Sequence, residues 1–159
     1  MAMRIAVGSD HRGNTIREKV IDYVKQLGHD AVDFGSYAEG PVDYPDIALK
    51  VATEVGQGQA DRGILICGTG IGMCIAANKV HGVRAAPCHD DLTAEMSRRH
   101  NNLNVLCLSA DLLGEGIIHR MIDIWLTTPF EGGRHARRVD KITAIEKRLE
   151  EECEGKATV

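Results

Sequence analysis

The chain has 159 residues, 43% hydrophobic and 26% charged, a length that suits one compact domain able to bury about 70% of its unfolded surface without staples. Nineteen Lys and Arg against 23 Asp and Glu leave a formal charge of −4, which excludes a protein that coats nucleic acid through its overall charge. No apolar run approaches the roughly 20 residues of a membrane span, and the single Trp, three Tyr and two Phe are too few for a base-stacking surface.

Five cysteines, an odd number with no CxxC pair, argue against a disulfide framework and a structural zinc site. A cytoplasmic protein is expected. The early apolar run Ile5-Ala6-Val7 stops at Gly8, too short for a signal-peptide core, and reads as a strand.

In chain order, short β-like runs ending in Gly, Asp or Cys alternate with helical patterns, the signature of repeated βα units around a parallel sheet. A strand over 4–7 precedes a helix over 14–27, where Ile16, Val20, Val24 and Leu27 form an apolar stripe and Gly28 supplies the stop. A second strand covers 31–34. The stretch 35–46, with two Gly, two Pro, Tyr37 and Tyr44, is too irregular for an element and longer than an ordinary connection, so a functional loop is expected there. Pro45 and Asp46 open a helix over 47–55. Residues 63–67 form the clearest buried strand, which turns through Gly68-Thr69-Gly70-Ile71-Gly72 into a helix reaching about Val80. Strands over 83–87 and 105–108 enclose a helix over 91–100, and an apolar helix over 113–126 follows before Pro129. After Gly132-Gly133 a mixed-charge helix spans about 134–152, leaving a loose tail over 153–159. The whole chain, 1–159, is expected to be a single domain.

In a doubly wound sheet, ligands sit beyond the carboxyl ends of the strands, and there the sequence places Asp10-His11, Cys67 with its glycine turn, and Cys88-His89-Asp90-Asp91. His100-Asn101, at the end of the following helix, are expected to join them. The glycine turn is neither GxGxxG, since Met73 stands where the last Gly would be, nor a P-loop, since no GK[ST] follows. What remains is a run of backbone N–H groups able to hold an anion or a developing oxyanion beside Cys67. That setting favours a thiolate, although a strand-end cysteine can also be a small hydrophobe, the reading given to Cys74, Cys88, Cys107 and Cys153. Arg134, His135, Arg137 and Arg138 crowd the first turn of the last helix, where the dipole disfavours cations, so an external dianion such as phosphate would explain them. Thiolate, anion-stabilising turn, acid/base group and phosphate clamp together suit proton shuttling beside the carbonyl of a sugar phosphate.

From about Met3 to Arg148 the chain resembles the type B ribose-5-phosphate isomerases, with the related galactose-6-phosphate and allose-6-phosphate isomerases. The resemblance rests on Gly8-Ser9-Asp10-His11 with Gly13, Asp43-Tyr44-Pro45, residues 63–72, Ala76-Ala77-Asn78-Lys79, Arg99-His100-Asn101, and Glu131-Gly132-Gly133-Arg134-His135 with Arg138. It implies a Rossmann-like three-layer α/β/α sandwich with a five-stranded, mainly parallel sheet, and a homodimer or dimer of dimers with sites shared between subunits. It implies neither metal nor cofactor. Cys67 would be the base moving a proton between C1 and C2, with Thr69 and the amides of Gly68, Gly70, Ile71 and Gly72 stabilising the enediolate. His100 would open the sugar ring, aided by Asp10. Tyr44 and Asn101 would contact the sugar, and His11, Arg134 and Arg138 the phosphate. Asp111 stands where many ribose-phosphate members carry an Arg, which places it among the substrate-selecting residues.

Independently, the apolar helix over 113–126 is expected to need a partner subunit to cover it. Ribose 5-phosphate is the first substrate expected; allose or galactose 6-phosphate is the alternative. A cysteine hydrolase using Cys67 and His100, or a non-catalytic sugar-phosphate sensor, would fit the same residues.

Overall fold

The computed structural model describes residues 1–35 and 40–157, with side chains through Cys153. Five strands, β1 (Arg4–Ser9), β2 (Asp30–Asp33), β3 (Arg62–Cys67), β4 (Ala85–Pro87) and β5 (Val105–Ser109), form one sheet in the order β2-β1-β3-β5-β4. Every pair is parallel, so the sheet is wholly rather than mainly so. Six helices connect and flank it: α1 (Asn14–Gln26), α2 (Tyr44–Gly56), α3 (Ile71–Ala77), α4 (Asp91–Asn101), α5 (Glu115–Thr127) and α6 (Arg134–Ala157).

Strands this apolar are covered on both faces, as a parallel sheet requires. One face packs Val20, Ile21 and Val24 of α1, Ala94 of α4 and Ile118, Met121, Ile122 and Trp125 of α5. The opposite face packs Ile47, Val51 and Val55 of α2 with Met73 and Ala77 of α3. These are the three expected layers. Because the chain leaves β1 leftward to β2 and returns rightward to β3, a crevice opens between the carboxyl ends of β1 and β3, where such folds hold ligands.

Local chemistry sets several boundaries. Asp10 accepts from the N–H groups of Arg12 (3.0 Å) and Gly13 (3.3 Å) and so caps a 3-10 turn, His11–Gly13, before α1. Gly28, at φ +83°, ends α1's exit turn as its sequence position indicates. The expected run of α3 to Val80 is cut at Ala77. Asn78 leaves the helix to clamp the start of β4, its Nδ2 donating to Ala85 O (2.8 Å) and its Oδ1 accepting from Ala85 N (2.9 Å). At the other extreme, α6 continues to Ala157 rather than ending at 152, since no proline interrupts a run of helix-compatible charged residues. The irregular stretch 35–46 is partly outside the described residues; its last part supplies Tyr44, the first residue of α2.

The expectation that α5 lies uncovered is corrected. Ile118, Met121, Ile122 and Trp125 are fully buried within the chain, because α5 sits between the sheet, α4 and α1. Exposed apolar side chains include Ile71 and Ile75 on α3 and Ile142, Ile145 and Leu149 along α6, as well as Leu49, Leu92, Leu112 and, at the edge of α5, Ile117.

Candidate active site

The first group of site residues gathers around the turn 68–72 at the carboxyl end of β3. Cys67 is buried, and the N–H of Gly70 donates to its Sγ at 3.1 Å. Gly70 adopts φ +79°, with the backbone of Leu108 only 3.3 Å from where a Cβ would stand, so the turn needs glycine for both conformation and space. The end of β5 fixes the carbonyl side of the turn. Ser109 Oγ donates to Gly68 O at 2.6 Å, Asp111 N to the same oxygen at 3.2 Å, and Ala110 N to Cys67 O at 2.9 Å. The N–H of Gly70 is taken by Cys67 Sγ and that of Ile71 by Thr69 Oγ1, while that of Gly72, in the first turn of α3, has no partner within the helix and is available to an external acceptor. Thr69 Oγ1 accepts from Ile71 N (3.3 Å), and the Tyr44 ring lies against Gly72, 2.7 Å from where a Cβ would be.

Across the crevice, the Asp10 cap aims His11 and Arg12 outward, and His11 Nδ1 accepts from Val42 N at 3.3 Å. Beneath them Arg17, buried, donates to Ser9 Oγ (2.9 Å) and pairs with Asp33 (3.0 Å). Asp111 turns its carboxylate onto Arg12, Oδ2 to Nη2 at 2.6 Å, directly over Gly68.

The second group is elsewhere. His100 and Asn101 end α4, and the chain then enters the amino end of β5 through Asn104, whose carbonyl accepts from Gly63 N. They therefore lie at the amino ends of the strands, about 15 Å from Cys67 by the length of β5. The expectation that His100 and Asn101 join the glycine turn is corrected for a single chain: a helix antiparallel to its strand returns its last residues to the far end of the sheet.

There His100 stacks on His135, with ring centroids 4.1 Å apart and planes 2° from parallel. Two consecutive left-handed glycines, Gly132 (φ +69°) and Gly133 (φ +54°), turn the chain into α6, which brings His135 against His100 and sets Arg134 and Arg138 near His135. Arg99 donates to Glu131 (2.6 Å) and Glu95 (2.8 Å), and Glu131 Oε2 lies 3.4 Å from His135 Nε2. The Arg99 bond lowers the Glu131 carboxyl below its ordinary range. Burial above all, then the facing His100 and Arg134, lowers the His135 imidazole. Ligand atoms of His100, Glu131 and His135 lie within 4.8 Å of one another. Yet an imidazole lone pair lies in its ring plane, so two face-stacked rings cannot aim at one ion without turning, and Arg134 stands 3.3 Å from His135 Nε2.

The third cluster singled out by sequence is structural. Asp90 caps α4 in a capping box with Thr93, and burial pushes the Cys88 thiol up to about 11. A hydrogen bond with Cys107 brings the Cys74 thiol to about 7, but Cys74 is tied into the Asn78 joint, its Sγ donating to Ala85 O at 3.3 Å. Sequence reading passed over Arg12, Ser109 and Glu131 as site residues. Arg12 had a signal in its position after Asp10-His11, and Glu131 precedes the arginines of α6; Ser109 had none.

The sequence profile of the ribose/galactose isomerase family matches residues 5–142. The chain is 42% identical over 145 residues to ribose-5-phosphate isomerase B of Escherichia coli, covering 91% of this chain and 97% of that protein. Among solved structures, ribose-5-phosphate isomerase B of Clostridium thermocellum superposes with a TM-score of 0.90 at 48% identity, covering 92% of this chain and 99% of the other. That of Mycoplasma genitalium, solved with bound ribulose-5-phosphate, gives 0.89 at 44% identity, covering 92% and 98%. No helix among the described residues is long and apolar enough to cross a membrane. The split cluster of Cys67, glycine turn and stacked histidines is thus carried on a fold shared over nearly the whole chain, and the protein belongs to the ribose/galactose isomerase family.

Proposed function

We propose that the protein interconverts ribose 5-phosphate and ribulose 5-phosphate, in an active site completed by a second copy of the chain. The observation that carries this reading is the Cys67 sulfur, which accepts from Gly70 N, beside a turn whose Gly68 carbonyl is tied back by Ser109 and which opens into the first turn of α3. Cys67 takes the proton from C2 of the open-chain aldose. The electron pair passes through C1–C2 to the carbonyl oxygen, and the resulting enediolate oxygens accept from the turn's N–H groups and Thr69 Oγ1. Return of the proton to C1, with transfer of the O2 proton to O1, gives the ketose. No cofactor is needed for this exchange.

Ring opening requires an acid/base group near the anomeric oxygen, and within one chain His100 is too distant to serve Cys67. The partner subunit's His100 and Asn101 fill that gap, with Arg134 and Arg138 of the partner subunit meeting the phosphate beside His11, and Tyr44 on the sugar. Exposed Ile71 and Ile75 next to the glycine turn, and the α6 stripe Ile142, Ile145 and Leu149, are apolar surface of the kind a subunit contact covers.

The test is a panel of five- and six-carbon aldose phosphates assayed for ketose formation and for solvent deuterium at C1 of the ketose and C2 of the recovered aldose. Ribose 5-phosphate is expected to be turned over with the highest kcat/KM; preference for allose or galactose 6-phosphate overturns the choice of sugar. A trapped acyl-enzyme with any ester substrate would replace the isomerase reading by a hydrolase.

A further inference from the structure

We propose that Arg12, held over the glycine turn by Asp111, is a phosphate-contacting residue on the Cys67 side of the site, a role that rests on the sugar-phosphate reading above. The pair is placed by backbone on both sides. Arg12 leaves a turn whose N–H groups are capped by Asp10, and Asp111 is fixed through its own N–H to Gly68 O (3.2 Å). A Cβ at Gly68 would stand 3.0 Å from Arg12 Nε and 2.9 Å from Asp111 Oδ2. The missing side chain at residue 68 is the space the ion pair occupies. Both partners remain open, at 56% and 39% side-chain exposure, and a pair so exposed contributes little to stability.

Its chemistry is better explained by a ligand. Of the five N–H donors of a guanidinium, one bond to protein is made by Arg12 among the described residues, the one to Asp111. The remaining donors border the same turn as Cys67, next to His11. A lone carboxylate at residue 111 would repel an anionic substrate; paired with Arg12 it instead orients the fork and leaves the mouth near neutral for the arriving dianion. Arg17, the other arginine of this segment, is buried and spent on Ser9, Asn14 and Asp33, so it has no such role.

Inorganic phosphate is the probe. Its inhibition constant against ribose 5-phosphate turnover, and its direct binding by calorimetry, are compared in the wild type, Arg12→Ala, Arg12→Gln and Asp111→Asn. Loss of a charge-assisted contact is expected to weaken phosphate binding and raise KM about 10- to 100-fold in both Arg12 variants, with kcat within about threefold. Asp111→Asn, which removes the repelling charge and keeps the side chain's shape, is expected to bind phosphate at least as tightly as the wild type. Arg12→Gln retains a donor for Asp111, so it reports on charge should Arg12→Ala fail to fold. Phosphate binding unchanged within twofold in a folded Arg12 variant overturns the proposal, as does a change in sugar preference with phosphate binding unmoved. If the wild type turns over no sugar phosphate, the isomerase reading fails, and calorimetry with phosphate alone still decides the role of Arg12.

Discussion

Cys67 and His100 stand at opposite ends of the same parallel sheet, Cys67 closing β3 and His100 closing the helix that leads back to the start of β5. No side-chain rotation spans that distance. A reaction that uses both therefore has to take them from two chains, and this can be read out directly. Cys67→Ala and His100→Asn are each expected to be nearly inactive alone. After mixing with subunit exchange, half the dimers are hybrids with one intact site in two, so about a quarter of wild-type activity is expected. No recovery in mixtures that demonstrably exchange would show that His100 does not complete the Cys67 site of another chain.

Cys67→Ala is expected to lower kcat by at least about 100-fold, the lower end of what a positioned general base contributes, while sugar-phosphate binding persists. Retention of more than about a tenth of the wild-type rate would remove Cys67 as the base. The substitution takes away one sulfur at a site where Gly70 is held mainly by its own left-handed turn, so folding is expected to survive.

His100→Asn separates ring opening from proton transfer. A pentose phosphate reaches the turn only after its ring opens, whereas erythrose 4-phosphate cannot close an equivalent ring through a free hydroxyl. The variant is expected to lose activity on ribose 5-phosphate and keep it on erythrose 4-phosphate. Equal losses on both sugars would show that His100 acts in the transfer itself.

The alternation of strands and helices around a parallel sheet and the Cys67 turn were legible in sequence because each rests on local signals: apolar runs, Gly28, Pro45 and the glycine spacing of residues 68–72; the three layers came from the family resemblance. What was not legible depends on chain direction and on contacts distant in sequence. Reading His100 as a neighbour of Cys67 ignored that α4 runs back along the sheet. The apolarity of α5 gave no hint that α1 and α4 would enclose it. Ser109 and Asp111 act on Gly68 across 41 and 43 positions of chain, and only the β3–β5 register brings them there. Arg12 was passed over because a surface arginine after a histidine is ordinary until its partner is known.

The stacked histidines set a pH dependence of stability. Burial first, then the facing His100 and Arg134, lowers the His135 imidazole below its ordinary 6.5, while Glu131 opposes the shift. The folded protein thus binds fewer protons here than the unfolded chain does between the two values. Stability contributed by neutral His135 is present above pH 6.5 and is lost as pH falls toward the folded value. Glu131 has the same sign: its carboxyl, lowered by Arg99, contributes above its ordinary 4.5 and loses that contribution on further acidification. The unfolding temperature is therefore expected to fall between about pH 7.5 and 5.5, chiefly through His135, and to fall less steeply in His135→Gln, which cannot take up the proton. A Tm that rises on acidification, or equal slopes for the two proteins, would show that His135 does not resist protonation in the fold.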